Sequence, residues 1–214
     1  MAHALERIVI GDDPNSWKSA GFTVHGDELR FGKVIVELAG SDGPRGVLGW
    51  SLAGVTDDVA GITTVTAASS PLSGLAPATV TEHVNAVFAI DHVVVETGDV
   101  DSTVASFASA GMNERRSSQI MTPLGERRQS FLWAGRVIIE IVGPVEIDES
   151  APTGIWGLAL VSSNLQTTSH VLAENLSEPR DAAQPGRKIT TLDTRAFDIS
   201  IPVVVMSPHE LRST

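Results

Sequence analysis

Apolar residues in this chain fall into short runs that alternate or run continuously. The same runs occur twice, in the same order. Leu5-Glu6-Arg7-Ile8-Val9-Ile10 is matched by Ile90-Asp91-His92-Val93-Val94-Val95. Gly32-Lys33-Val34-Ile35-Val36-Glu37-Leu38 is matched by Gly135-Arg136-Val137-Ile138-Ile139-Glu140-Ile141. Gly46-Val47-Leu48-Gly49-Trp50-Ser51-Leu52 is matched by Gly154-Ile155-Trp156-Gly157-Leu158-Ala159-Leu160. Period-two alternation and β-branched content predict strands for these runs. Their ordered recurrence predicts a duplicated supersecondary unit.

Helices are expected between them. Asp13 followed by Pro14 is a helix-start signal, and Gly21 ends that short helix with Phe22 packing back. A second helix is expected near 101–110, with Val104, Phe107 and Ala108 on one face, Gly111 just past its end and Met112 in the place of Phe22. A third is expected over about 163–175, with Leu165, Val171 and Leu172 inward and Ser163 as its cap. Strands follow each helix: 127–134 and 135–142 around Ala134-Gly135, with an earlier bend at Gly125, then 187–192 and 199–206. Pro202 inside the last run predicts an edge strand or a bulge. The fold class is therefore α+β, with repeated βαβββ modules forming curved, mostly antiparallel sheets and helices on the outer face. Residues 1–56 form a truncated N-terminal half and 88–208 a two-module half. The Ser-, Thr- and Gly-rich stretch 57–87 between them reads as a linker that hides one or two short strands.

Composition narrows the classes. With 42% hydrophobic and 19% charged residues, the chain reads as an ordinary soluble domain. A net charge of −11 makes nucleic acid and anionic membranes poor partners. Cysteine is absent, which removes disulfides, thiolate nucleophiles and thiolate metal sites and suits the cytoplasm. Residues 1–13 lack an apolar h-region, so no signal peptide is expected, and no apolar run reaches membrane length. Gly-rich phosphate loops, Gly-x-Ser-x-Gly and His-Glu-x-x-His are absent as well.

The ordered runs resemble the vicinal oxygen chelate superfamily, which includes glyoxalase I, extradiol dioxygenases and bleomycin-resistance-type binding proteins. The resemblance covers 88–208 best. Ile90-Asp91-His92-Val93-Val94-Val95 is similar to a first strand of that family, and Val137-Ile138-Ile139-Glu140-Ile141-Val142-Gly143-Pro144 to a fourth. Trp156 to Val161 resembles the next module's first strand, and Val203 to Pro208 its last. In metal-using members each of two modules supplies ligands from its first and last strands. The resemblance places His92 and Glu140 in such positions, and imidazole with carboxylate suits Fe, Mn, Ni or Zn. The next module has Gly157 and Val204 at the matching places, and the N-terminal copy has Arg7 beside Glu37. Catalytic zinc and non-haem iron sites need three protein ligands. A third would have to come from elsewhere, such as Glu96, which shares the face of His92.

The expected state is therefore a protein without a cofactor, whose cup takes a small-molecule ligand that is partly apolar and carries an anionic group. A His92–Glu140 hydrogen-bonded pair can also serve proton transfer. Strand alternation puts Gln129, Phe131 and Trp133 on one face, either the cup wall or the underside of the second helix. Arg187, after the Pro185-Gly186 turn, can meet a carboxylate ligand. Gly157 admits a close approach by ligand or backbone. The alternatives are a metal-dependent lyase, isomerase or dioxygenase that uses His92 and Glu140, and a non-catalytic scaffold that self-associates, for example as a homodimer.

Overall fold

In the computed structural model, which describes residues 3–65, 83–122 and 125–209, the two copies share their strand registers as well as their sequence pattern. The first half contains β1 (Leu5–Ile10), α1 (Pro14–Ser19), β2 (Glu28–Phe31), β3 (Val34–Leu38) and β4 (Val47–Leu52), with sheet order β2-β3-β1-β4. The second half begins with β5 (Val87–Glu96), α2 (Val100–Ser109), β6 (Arg116–Thr122), β7 (Gly125–Ala134) and β8 (Val137–Pro144). It continues with β9 (Gly154–Ser162), α3 (Leu165–Leu172), β10 (Arg180–Asp181), β11 (Lys188–Leu192) and β12 (Val203–Met206). These strands make one curled sheet in the order β10-β11-β12-β9-β5-β8-β7-β6. The class is α+β, as the repeats predict. Among the described residues, no helix is long and apolar enough to cross a membrane.

Each first strand pairs in parallel with the last strand of its own module and antiparallel with the first strand of the next. Arg7 and Val9 of β1 face Ile35 and Glu37 of β3, and His92 and Val94 of β5 face Ile138 and Glu140 of β8. The module built on β9 repeats the register, with Ala159 opposite Val204. The antiparallel pairings carry matching irregularities. Glu6 is an extra residue in β1 against β4, and Asp91 is an extra residue in β5 against β9. Leu48 in β4 and Trp156 in β9 are a second matched pair of bulges. An extra residue re-aims a strand's side chains locally, so the duplicated bulges matter for the site.

Local rules explain the helix ends. The Asp13 and Asp99 carboxylates accept backbone N–H groups at the starts of α1 and α2. Both helices end in the same left-handed glycine motif: Phe22 N–H donates to Trp17 O and Met112 N–H donates to Phe107 O, with Gly21 and Gly111 at positive φ. At α3 the expected cap is off by one residue. The Asn164 side chain accepts from Gln166 and Thr167 N–H, while the Ser163 hydroxyl is turned to Ala86 O.

Two other expectations change. β6 is a strand although the sequence between Gly111 and Gly125 shows no apolar alternation; it is an outermost strand of mostly polar residues. Pro202 does not mark an edge: β12 lies inside the sheet and starts one residue later, because proline has no N–H for the ladder. The Pro202 carbonyl still accepts from Leu158 N–H at 3.0 Å.

The core lies on the helix-facing side of both sheets. Val93, Val95, Ile139 and Ile141 are fully buried there, while His92, Val94, Ile138, Glu140 and Val142 take the opposite, concave face. The halves are joined through a common core in which Trp50 meets Phe107 edge-on at 5.8 Å. Part of the expected linker is structured. Trp50 N–H donates to Thr63 O and Val65 N–H to Trp50 O, forming a parallel bridge that repeats the β9–β12 contact.

Candidate functional site

The concave face of β5, β8 and β7 sets the geometry. Successive side chains on a strand point to opposite faces, so Asp91 and His92 should diverge. The bulge at Asp91 turns both the same way, and His92 Nδ1 lies 2.9 Å from Asp91 Oδ2. The other ring nitrogen, Nε2, lies 3.2 Å from Glu140 Oε2 on β8. Gln129 on β7 donates its side-chain N–H to Glu140 Oε1. Behind Asp91, Arg187 Nη1 donates to Asp91 Oδ1 at 2.8 Å, its Nε donates to Ser207 O, and it also holds the Gln184 side-chain carbonyl. A continuous line therefore runs Gln184, Arg187, Asp91, His92, Glu140, Gln129.

Electrostatics assign the protons. Burial raises the Asp91 carboxyl, but the His92 hydrogen bond and the Arg187 guanidinium outweigh it and hold Asp91 below the ordinary carboxylate value. Asp91 is thus the ionised acceptor that fixes Nδ1 of His92 as a donor. Burial raises the Glu140 carboxyl, and the opposing pull of His92 and Gln129 does not cancel it. Nε2 of His92 and Oε2 of Glu140, 3.2 Å apart, are close enough to share a proton. Both side chains are partly exposed on the concave face.

Around it is a cleft of about 450 Å³. Phe131, Trp133, Ile138, Ile189 and Met206 give it apolar walls, and Arg115 and Arg116 lie at the β6 side. The loop 182–185 closes the side opposite. The structure therefore brings His92, Glu140, Gln129, Phe131 and Trp133 together, and it settles which face the β7 residues take. Leu132 and Ala134 go under α2, while Trp133 keeps 49% of its surface exposed. Arg187 lies behind the cleft wall with its side chain 1% exposed. Gly157 is packed on the neighbouring strand: a Cβ there would lie 2.5 Å from Pro202 O. A wider crevice of about 590 Å³ next to Trp133 is lined by His3, Asn113 and Glu114.

Asp91 is the residue that sequence reasoning missed. Strand alternation turns it away from His92, and only the acidic residue at the matching place in the other copy, Glu6, hints at a shared bulge. Arg115 and Arg116 are adjacent in the sequence, which by itself assigns them no role. Ile189, Met206 and Gln184 come from the far module and carry no local signal.

The donor set does not fit a resident metal. Glu96, the candidate third ligand, is held by Arg127 at 2.5 Å. The places that would complete the set from the next module are Gly157 and Val204, without ligating side chains. Among the described residues, no three His, Asp or Glu side chains are grouped to hold a metal ion. Two donors fall short of the three that catalytic sites use. In the N-terminal half the same location is closed by an ion cluster, Arg7 Nη1 to Glu28 Oε1 at 2.8 Å and to Glu37 Oε2 at 2.6 Å.

No protein-family model and no curated protein matches the chain. Solved structures do. A mutant of 4-hydroxymandelate synthase from Streptomyces coelicolor aligns over 100% of this chain and 94% of its own, with a TM-score of 0.63 and 12% identity. A xylose isomerase-like TIM barrel/4-hydroxyphenylpyruvate dioxygenase fusion protein aligns over 100% of this chain and 50% of its own, with a TM-score of 0.64 and 11% identity. A catechol 2,3-dioxygenase aligns over 97% and 92%, with a TM-score of 0.54 and 10% identity. Identities this low speak for the fold alone. Duplicated modules, a half-barrel sheet and these neighbours together show the fold that the chain shares with them.

Proposed function

We propose that the protein binds a small organic molecule, partly apolar and carrying an anionic group, in the cleft over His92 and Glu140, and does so without a resident metal. The observation that carries this reading is the convergence of the His92–Glu140 pair with an apolar wall in a single concave site. A volume of about 450 Å³ suits a small ligand. Phe131, Trp133 and Ile138 offer apolar surface, while the His92–Glu140 couple offers a hydrogen bond to a polar head. The cysteine-free composition suits a cytoplasmic setting.

The test is a ¹H–¹⁵N NMR titration with phenylacetate as the probe. The expected result is saturable movement of the Trp133 indole and of the Phe131 and Ile138 amides. Movement confined to His3 and Asn113, or none at all, contradicts the reading.

A further inference from the structure

The β6–β7 hairpin carries four arginines, and their partners differ. Arg127 is held by Glu96 at 2.5 Å and Arg128 by Asp101 at 2.7 Å. Arg115 and Arg116 meet no carboxylate among the described residues, and both line the cleft. In a chain of net charge −11, two cations left without acidic partners beside one pocket stand against the prevailing charge.

Arg116 is also held in place. Its guanidinium carbon lies over the Phe131 ring, 5.1 Å from the centroid, and Phe131 is its direct cross-strand neighbour. A guanidinium on an aromatic face keeps its edge N–H groups for an acceptor, and the ring limits the freedom it would lose on binding. The same rung continues from Phe131 to Glu140. Two strand spacings put the Arg116 and Glu140 backbones about 10 Å apart. Phe131 stands between them, and all three residues line the cleft. A planar carboxylate can bind two edge N–H groups of Arg116 at once. A dianion such as phosphate would place more charge beside Glu140 and Asp91, so a monoanion is favoured. Trp133, Ile138 and Met206 leave an apolar slot for the rest of the molecule.

We propose that Arg116, seated on Phe131, is the anion-recognising residue of the cleft, and that its ligands are small monocarboxylates with an apolar body. This rests on the reading that the cleft binds a ligand at all. It also moves the anion-binding role away from Arg187, whose guanidinium serves Asp91.

The experiment is calorimetric titration of phenylacetate and its neutral isostere phenylacetamide into the wild type, Arg116→Gln and Arg115→Gln, each checked for an unchanged melting temperature without ligand. The wild type should prefer phenylacetate by roughly tenfold or more, as a charge-assisted bidentate contact allows. Arg116→Gln should erase that preference and leave phenylacetamide binding unchanged, and Arg115→Gln should retain most of the preference. Equal binding of both probes by the wild type, or a preference that survives in Arg116→Gln or disappears only in Arg115→Gln, overturns the assignment while leaving the binding reading intact. Failure of both probes to bind the wild type removes the binding reading and the assignment with it.

Discussion

Asp91 and His92 are consecutive residues on a strand, yet their side chains meet at 2.9 Å, because the β-bulge at Asp91 rotates the two onto one face. Arg187, buried from the other side, holds the second oxygen of Asp91 at 2.8 Å. The imidazole is thus oriented by a carboxylate that is itself fixed by a guanidinium.

Asp91→Asn leaves the buried Arg187 without its counter-charge. Nη2 of that guanidinium already has no hydrogen-bond partner among the described residues, so it cannot easily re-pair. Urea unfolding should show a loss of about 3–5 kcal/mol, the range for breaking one side of a buried ion pair. A loss below about 1 kcal/mol would show that Gln184 and His209 suffice for Arg187.

Glu140 gives the opposite sign. Its carboxyl is raised by burial, against the pull of His92 and Gln129, so the folded state holds that proton more tightly than the unfolded chain. The associated stability is full below the ordinary glutamate value and is lost as pH rises through the raised one. Glu140→Gln should therefore flatten this part of the stability–pH curve and gain most, relative to the wild type, near neutral pH. Parallel curves for the two proteins from acid to neutral would count against a buried, raised carboxyl.

His83 adds an acid limit. Desolvation lowers its pKa from 6.5 to about 4, with the Arg30 carbonyl opposing and His25 assisting. It sits between Phe22 and Phe31, with Nδ1 accepting Thr23 N–H and Nε2 donating to Arg30 O, an arrangement only the neutral ring satisfies. A base with a depressed folded pKa contributes fully above 6.5 and loses that contribution as pH falls toward 4. The loss should amount to roughly 2–3 kcal/mol across that window. Chemical unfolding of His83→Phe beside the wild type checks this: the variant should lack that slope.

Much of the fold was legible because duplication supplies two readings of several elements. The caps at Asp13 and Asp99 and the turns at Gly21 and Gly111 follow from local rules, and all recur. β6 was not legible, since an outermost strand with polar residues on both faces has no period to read. His92 and Glu140 could be named from the resemblance and the Gln129–Phe131–Trp133 face from alternation, but which side that face took depended on tertiary packing. Asp91 was hidden because a bulge violates the very alternation used to find its neighbours. Arg187 and Gly157 were visible as unusual residues, but their partners, Asp91 and Pro202, are distant in sequence.

Gly157 and its counterpart Gly49 should both resist a side chain. A Cβ would lie 2.5 Å from Pro202 O in one and 2.8 Å from Thr63 O in the other, and backbone atoms cannot step aside cheaply. Gly157→Ala and Gly49→Ala should each cost about 1–3 kcal/mol in urea unfolding. Neutral substitutions at both would mean that the strands at these two places can separate freely.

The central claim, a ligand cleft that works without a metal, is tested most directly by calorimetry of phenylacetate against protein dialysed with EDTA, beside Ile138→Trp, which fills the cleft. The account predicts saturable one-site binding that survives EDTA in the wild type and disappears in Ile138→Trp. Binding that appears only after Fe, Mn, Ni or Zn is added back would contradict it.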